Sequence, residues 1–302
     1  MSPTSPADSI PAARVLRRQR LLRSLAMLAA ALMLGVIGLS AFIRLAHGPL
    51  GAADATAPEA AIVLARALHR VIASVLLVLA LTLLAAALPR PLLRREAGLA
   101  LGIVLCTLWL AGLGIAARGS TLPAVVLGNL VGGFLMLALC LRLAAVAAGR
   151  VASPRLRRAA GWALPAVLAS VVVGGLYSAG ALPPTCAGWR DCIEAARGAD
   201  WDWRVLDPWL ARGEATAQLA LQRGAWLPLL HQAAAALALA LRLWLDWTAG
   251  RERARAGQAP RAVLLALQVL LVLSAVATPS LAQALAHNLA GALLLGWLAR
   301  LA

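Results

Sequence analysis

The chain has no lysine and little charge of either sign: 13% of its 302 residues are charged, twelve acids against 28 basic residues that are all arginine. So few charges cannot clothe the surface of a soluble domain of this length. With 62% hydrophobic residues and a mean hydropathy of +0.83, a soluble globular protein is excluded. An all-α polytopic membrane protein is expected, with membrane lipid as its first partner. The net charge of +16 would suggest a nucleic-acid partner in a soluble chain. Here the arginines cluster between apolar runs, so nucleic acid is not expected. Cysteine is scarce too: Cys106 and Cys140 fall inside apolar runs as small core residues, and Cys186 and Cys192 fall in the one long polar stretch.

What is present is a series of apolar runs. Arginines at 14, 17, 18, 20 and 23 precede the first, Leu25–Ile43, which is too long for the apolar core of a secretory signal and ends in Phe42-Ile43-Arg44-Leu45, unlike a cleavage site. It is read as a retained first helix after a basic segment, 1–23. Further spans are expected at Ala60–Leu88, Gly98–Ala117, Ala124–Ala148, Trp162–Leu182, Gly224–Trp247, Ala262–Thr278 and Leu281–Leu301. Each run covers a hydrocarbon core of about 30 Å at about 1.5 Å per residue, and backbone groups in lipid must be satisfied within the segment, so the spans are helices. Arginine clusters stand before span one and after spans two, four and six. That pattern puts both termini in the cytoplasm and the tryptophan-rich loop 183–223 outside.

The eight spans divide into two similar halves, 24–150 and 151–302. In each, a tightly linked pair follows two helices with longer links, and Asn129-Leu130-Val131-Gly132-Gly133 in span four echoes Asn288-Leu289-Ala290-Gly291-Ala292 in span eight. Two pseudo-symmetric four-helix bundles are therefore expected, with a site where repeats meet. Three histidines support this. His69, His231 and His287 lie about nine, seven and six residues into spans two, six and eight, roughly 9–14 Å below the outer helix starts. Ionisable groups inside a membrane are rare and face the bundle interior. The plainer reading is that each imidazole bonds a neighbouring helix; three at one depth favour axial ligands of a haem instead. Zinc is disfavoured, because no membrane-embedded carboxylate or thiol joins them at ligand spacing.

At these residues the chain resembles the haem A synthase family of cytochrome oxidase assembly, over nearly its whole length. The matching stretches are Phe42-Ile43-Arg44-Leu45, Ala67-Leu68-His69-Arg70, Val125 to Gly133, Gly174-Gly175-Leu176, Cys186 to Cys192, Leu227-Pro228-Leu229-Leu230-His231 and Ala286-His287-Asn288. The resemblance implies a bacterial inner-membrane oxidoreductase that converts a methyl group of haem O to the formyl group of haem A. It implies haem b held between His231 and His287 in the C-terminal half, and substrate haem at His69 in the N-terminal half. Arg44 and Arg70 would meet propionates, and Cys186–Cys192 would form an outer disulfide, structural or redox-active. Haem O synthase and oxidase assembly factors are the protein partners it suggests, and a homo-oligomer is compatible with it.

The N-terminal half departs from that pattern. Asn129 stands where the family register calls for a fourth-helix histidine, and literal alignment of the two halves puts Gly128 opposite His287 instead; neither supplies an imidazole. Arg66 replaces an acid three positions before His69, the first outer loop from His47 lacks the family's cysteine-containing segment, and Gln232 replaces an arginine after His231. A second expectation is thus a non-catalytic membrane protein keeping one b-type haem for electron transfer or haem handling. A transporter ranks last, since charge pairs near the midplane and broken helices are both lacking.

Overall fold

The computed structural model describes residues 6–46, 58–116, 122–179, 189–198, 204, 207, 226–251 and 281–302. The expected seventh span, Ala262–Thr278, lies outside them, as do His47, Cys186 and most of the loop 183–223. The described residues form eight helices and no strand: α1 (Pro6–Leu45), α2 (Glu59–Ala87), α3 (Arg94–Ala116), α4 (Pro123–Ala147), α5 (Pro154–Ala179), α6 (Trp189–Arg197), α7 (Trp226–Arg251) and α8 (Leu281–Leu301). All but the nine-residue α6, seven in number, are long and apolar enough to cross a membrane. The side chains on the open faces of α2 and α3 agree: Val71 is 62% exposed and Ile115 67%, which suits lipid rather than water.

Helix ends follow local chemistry. Pro123 opens α4, where its missing N–H costs nothing. The helix closes at Gly149, whose φ of 64° lets Gly149 N donate to the Val146 carbonyl at 2.9 Å and Arg150 N to the Ala145 carbonyl at 3.1 Å. This paired closure needs a left-handed residue, hence the glycine. Four residues on, the Ser153 hydroxyl accepts from Leu156 N at 3.2 Å and caps α5. The first helix starts well before the apolar run that announced it, at Pro6 rather than Leu25. Part of its basic segment holds α2 in place: Arg18 donates to the carbonyls of Ala86 at 3.1 Å, Ala87 at 3.0 Å and Pro91 at 3.0 Å, where the last carbonyls of α2 lack helical partners.

Helices α1, α2, α3 and α4 pack in a closed ring, each against the next and α4 back against α1. In the rest of the chain α5 packs against both α7 and α8. The two sets meet through α4 with α8, α1 with α8 and α4 with α5. One core runs through both, from Leu22, Leu83 and Ile103 to Phe134, Leu137, Leu245 and Leu295. Lipid tails are as apolar as leucine, so these contacts depend on close fit rather than on escape from water. Glycines supply the fit. A Cβ on Gly296 of α8 would stand 2.6 Å from Leu141 Cδ1 of α4, and one on Gly175 of α5 would stand 2.7 Å from Leu130 Cδ2 of α4.

Candidate functional site

The site is built on α5, α7 and α8. His231 sits near the start of α7, whose first turn is anchored by the fully buried Leu227 packed with Leu176 of α5. Gly174 of α5 gives the imidazole its place: a Cβ there would stand 2.7 Å from His231 Cε1 and 3.0 Å from Nδ1. The ring thus lies directly on the α5 backbone, with its Nδ1 3.2 Å from the Ser170 carbonyl oxygen. A carbonyl only accepts, so Nδ1 carries the proton and Nε2 keeps its lone pair. Tyr177, one turn further along α5, stacks beside it at 6.4 Å between ring centres and 16° between planes.

His287 of α8 meets His231 across the site. Their ring centres are 6.4 Å apart and their planes are inclined at 79°. Helices α7 and α8 are not close-packed neighbours along their backbones, whereas α5 packs on both; the two imidazoles reach toward each other over a gap that α5 spans. Next to His287, the Asn288 Nδ2 is buried with no hydrogen-bond partner. On α1, which packs against α8, Arg44 Nε is buried and equally without one. A buried donor left unmatched costs about 1–3 kcal/mol, so both mark places where an acceptor is wanted.

The remaining expected site residues are elsewhere. His69 is half-buried on the face of α2 that carries Ile62, Ala65 and Leu76 into the packing, while Arg70 and Arg66 are exposed. Asn129 is half-buried on α4. The structure does not bring His69 and Asn129 onto packing neighbours: α2 lies against α1 and α3, and α4 against α1, α3, α5 and α8. An apolar groove of about 680 Å³ does open beside Gly128, walled by Leu105, Trp109, Leu127, Gly132 and Val172, but α2 contributes nothing to it. Cys192 of α6 is buried, 4% exposed, and disulfide-bonded, whereas Cys106 and Cys140 are free thiols. Tyr177 and Ser170 escaped sequence reasoning. The one signal for Tyr177 was that it is the single tyrosine of the chain and follows the Gly174-Gly175 pair; a carbonyl partner such as that of Ser170 leaves no trace in side-chain identity.

What could such a pair of imidazoles hold? Among the described residues no group of three or more His, Cys, Asp or Glu is arranged to bind a metal ion. Two imidazoles alone do not complete the four ligands zinc needs, whereas a haem brings four nitrogens and needs only axial partners. Metal–nitrogen bonds of about 2 Å, with about 1.1 Å from each nitrogen to its ring centre, would put coaxial imidazole centres about 6.2 Å apart. The observed 6.4 Å matches that span. It also lies within the range of a direct edge-to-face ring contact, which would account for the spacing but not for Asn288. No protein-family model matches the chain, and a search of characterised proteins gave no match.

Proposed function

We propose that the chain is a b-type haem protein of the bacterial inner membrane, a haem A synthase-like oxidoreductase that converts the methyl group of haem O to the formyl group of haem A. The observation that carries the haem reading is the His231–His287 pair at 6.4 Å, with one ring nitrogen of His231 committed to Ser170. A ligating histidine that donates its second nitrogen to a carbonyl has its tautomer and ring angle fixed in advance. Gly174 fixes the same ring from below. Arg44 Nε and the Asn288 amide offer buried donors suited to carboxylates such as haem propionates. The haem, when bound, supplies one-electron redox chemistry; the residues of this chain bind it, orient it and keep water out.

The reading of the chain as two copies of one four-helix unit is supported by how its helices pair. Among these six helices, exchanging α1 with α5, α2 with α7 and α4 with α8 carries α1–α2 into α5–α7, α1–α4 into α5–α8 and α1–α8 into α4–α5, and leaves α4–α8 unchanged. The side chains repeat the exchange: Leu130 lies on Gly175 and Leu289 on Gly38, 3.8 Å from where its Cβ would be. Both leucines follow the asparagine of the shared Asn-Leu motif, and both glycines open a Gly-Leu pair. This register sets Gly128, not Asn129, against His287. Arginine-rich helix ends face the cytoplasm, the His231–His287 site faces outward, and the disulfide-bonded Cys192 lies on the outer side.

A second reading is favoured by one observation: among the described residues of the N-terminal half, no second imidazole faces His69. There the protein keeps one haem b for electron transfer or haem handling and oxidises nothing. Protein purified from cells that make haem O decides between them. Haem A or a partly oxidised haem in the preparation supports the first reading; haem b alone supports the second. His231→Ala and His287→Ala should each abolish a low-spin b-type spectrum. A normal spectrum after either change would falsify the haem assignment altogether.

A further inference from the structure

The arginine-rich end of the bundle carries an arrangement that the haem reading leaves unused. Arg142 emerges half-buried from the last part of α4, and its Nη1 donates to the Arg300 carbonyl of α8 at 3.3 Å. It shares its surroundings with the charges of Arg157, in the first turn of α5, and Arg95, at the start of α3. Arg300 stands within electrostatic reach of Arg150, in the α4–α5 turn, and Arg23 of α1. Six arginines thus gather as three around Arg142 and three around Arg300, with the Arg142 guanidinium bonded to the Arg300 backbone carbonyl. Glu96 is the one carboxylate among the described side chains at this end, and it is engaged elsewhere: it is buried and accepts from Gln19 Nε2 at 3.2 Å.

Orienting a membrane protein requires arginines in the loops on one side, not their convergence on facing helices. Arg142 and Arg300 are half-buried while Arg23, Arg95, Arg150 and Arg157 are exposed, and gathering like charges at such a boundary is unfavourable unless an anion sits among them. The planar guanidinium fork matches phosphate oxygens in paired hydrogen bonds, and basic recesses between membrane helices recognise lipids with anionic headgroups. Two groups of three call for two phosphates on one molecule.

We propose that the junction of α1, α3, α4, α5 and α8 binds the headgroup of a two-phosphate phospholipid of the cardiolipin class, through Arg142 and Arg300 with their neighbouring arginines. The inference needs only that the helices cross a membrane and stands whether or not a haem is bound. Native mass spectrometry of the full-length protein released from detergent tests it. Cardiolipin should be retained on the purified chain, and Arg142→Gln with Arg300→Gln should lower its occupancy about tenfold or more. Arg155→Gln with Arg158→Gln, on the same end but outside both groups, should leave occupancy unchanged and controls for loss of net charge. Melting of each variant in detergent shows that it is folded. Equal loss from both double variants would reduce the site to diffuse surface charge and overturn the proposal. So would equal retention of phosphatidylglycerol or phosphatidylethanolamine, or equal stabilisation by inorganic pyrophosphate without lipid.

Discussion

On the two-copy reading proposed above, the N-terminal and C-terminal sets of helices differ most where that reading would make them most alike. Near the start of α7, His231 lies on a bare backbone because α5 offers Gly174. The corresponding position of α1, immediately before the Gly-Leu pair, is Ile37, which is 5% exposed and packs against Gly133 of α4, 3.5 Å from where its Cβ would be. On the facing helix, His287 of one half is answered by Gly128 of the other. One half has kept an imidazole pair with a glycine beneath it; the other has filled one position with a branched side chain and emptied the other. The two sets of helices share packing pairs while the residues at the site differ, and in a membrane the two are separable. Packing there depends on small residues at the crossings, and those crossings lie elsewhere, at Gly38, Gly175 and Gly296.

The sharpest way to break the comparison is to make the C-terminal half resemble the N-terminal one. Gly174→Ile puts a branched side chain where even a Cβ would stand 2.7 Å from His231 Cε1. The imidazole must swing off α5 and lose Ser170. Haem per chain, read from the pyridine haemochrome, should fall about tenfold or more, because a ligand lost from its supporting shell costs about 10–100-fold in affinity. Unchanged haem content would show that Gly174 does not set the ligand.

The converse substitution rebuilds the missing ligand. Gly128→His, with Leu113→Ala to clear the side chain that would lie 3.0 Å from a new Cβ, should raise haem content from one toward two per chain. Asn129→His should not, if the Asn-Leu motifs align as the leucine–glycine contacts indicate. The opposite outcome would restore the register in which Asn129 replaces the family histidine. No gain from either would mean that Ile37, above all, keeps the N-terminal half closed, and Ile37→Gly in the Gly128→His background then becomes the decisive variant.

Much of this was legible beforehand, for physical reasons that differ by residue. Helix positions followed from apolar runs, since nothing else satisfies a backbone in lipid, and α2, α4 and α8 begin and end within a residue or so of their expected bounds. That His231 and His287 fall within the second turn of their helices was legible from where the apolar runs begin. The start of α1 was not: the basic stretch before Leu25 reads as a polar tail, and the carbonyls of α2 that Arg18 bonds are remote in sequence. Which way a histidine turns was equally hidden. His69 and His231 look alike in the chain, and only the α5 backbone beneath one of them separates an aligned ring from an ordinary half-buried one.

A smaller effect should come from the seam between the halves. Gly296→Val would press a branched side chain into Leu141, whose Cδ1 already lies 2.6 Å from where a Cβ would sit. Overpacking of this kind costs about 1–3 kcal/mol and should lower the melting temperature of the detergent-solubilised protein. Leu141→Ala in the same chain should recover part of that loss, because contacting sites do not add independently. Full additivity would show that α4 and α8 do not touch there.

The least effect is expected at Tyr177. Its ring is stacked on His231 at 6.4 Å, near the outer limit of useful ring contact, so removing it with Tyr177→Leu should cost no more than about 0.5 kcal/mol. Tyr177→Phe keeps the stack and should leave the haem spectrum where it is. Leu in its place removes a ring stacked beside the His231 imidazole, and should broaden the low-spin electron paramagnetic resonance signal without lowering haem content. Loss of haem from either variant would assign Tyr177 a direct part in holding the cofactor. That would extend the difference between the halves to a third position, since the residue that Tyr177 replaces in α1, two after Gly38, is Ser40.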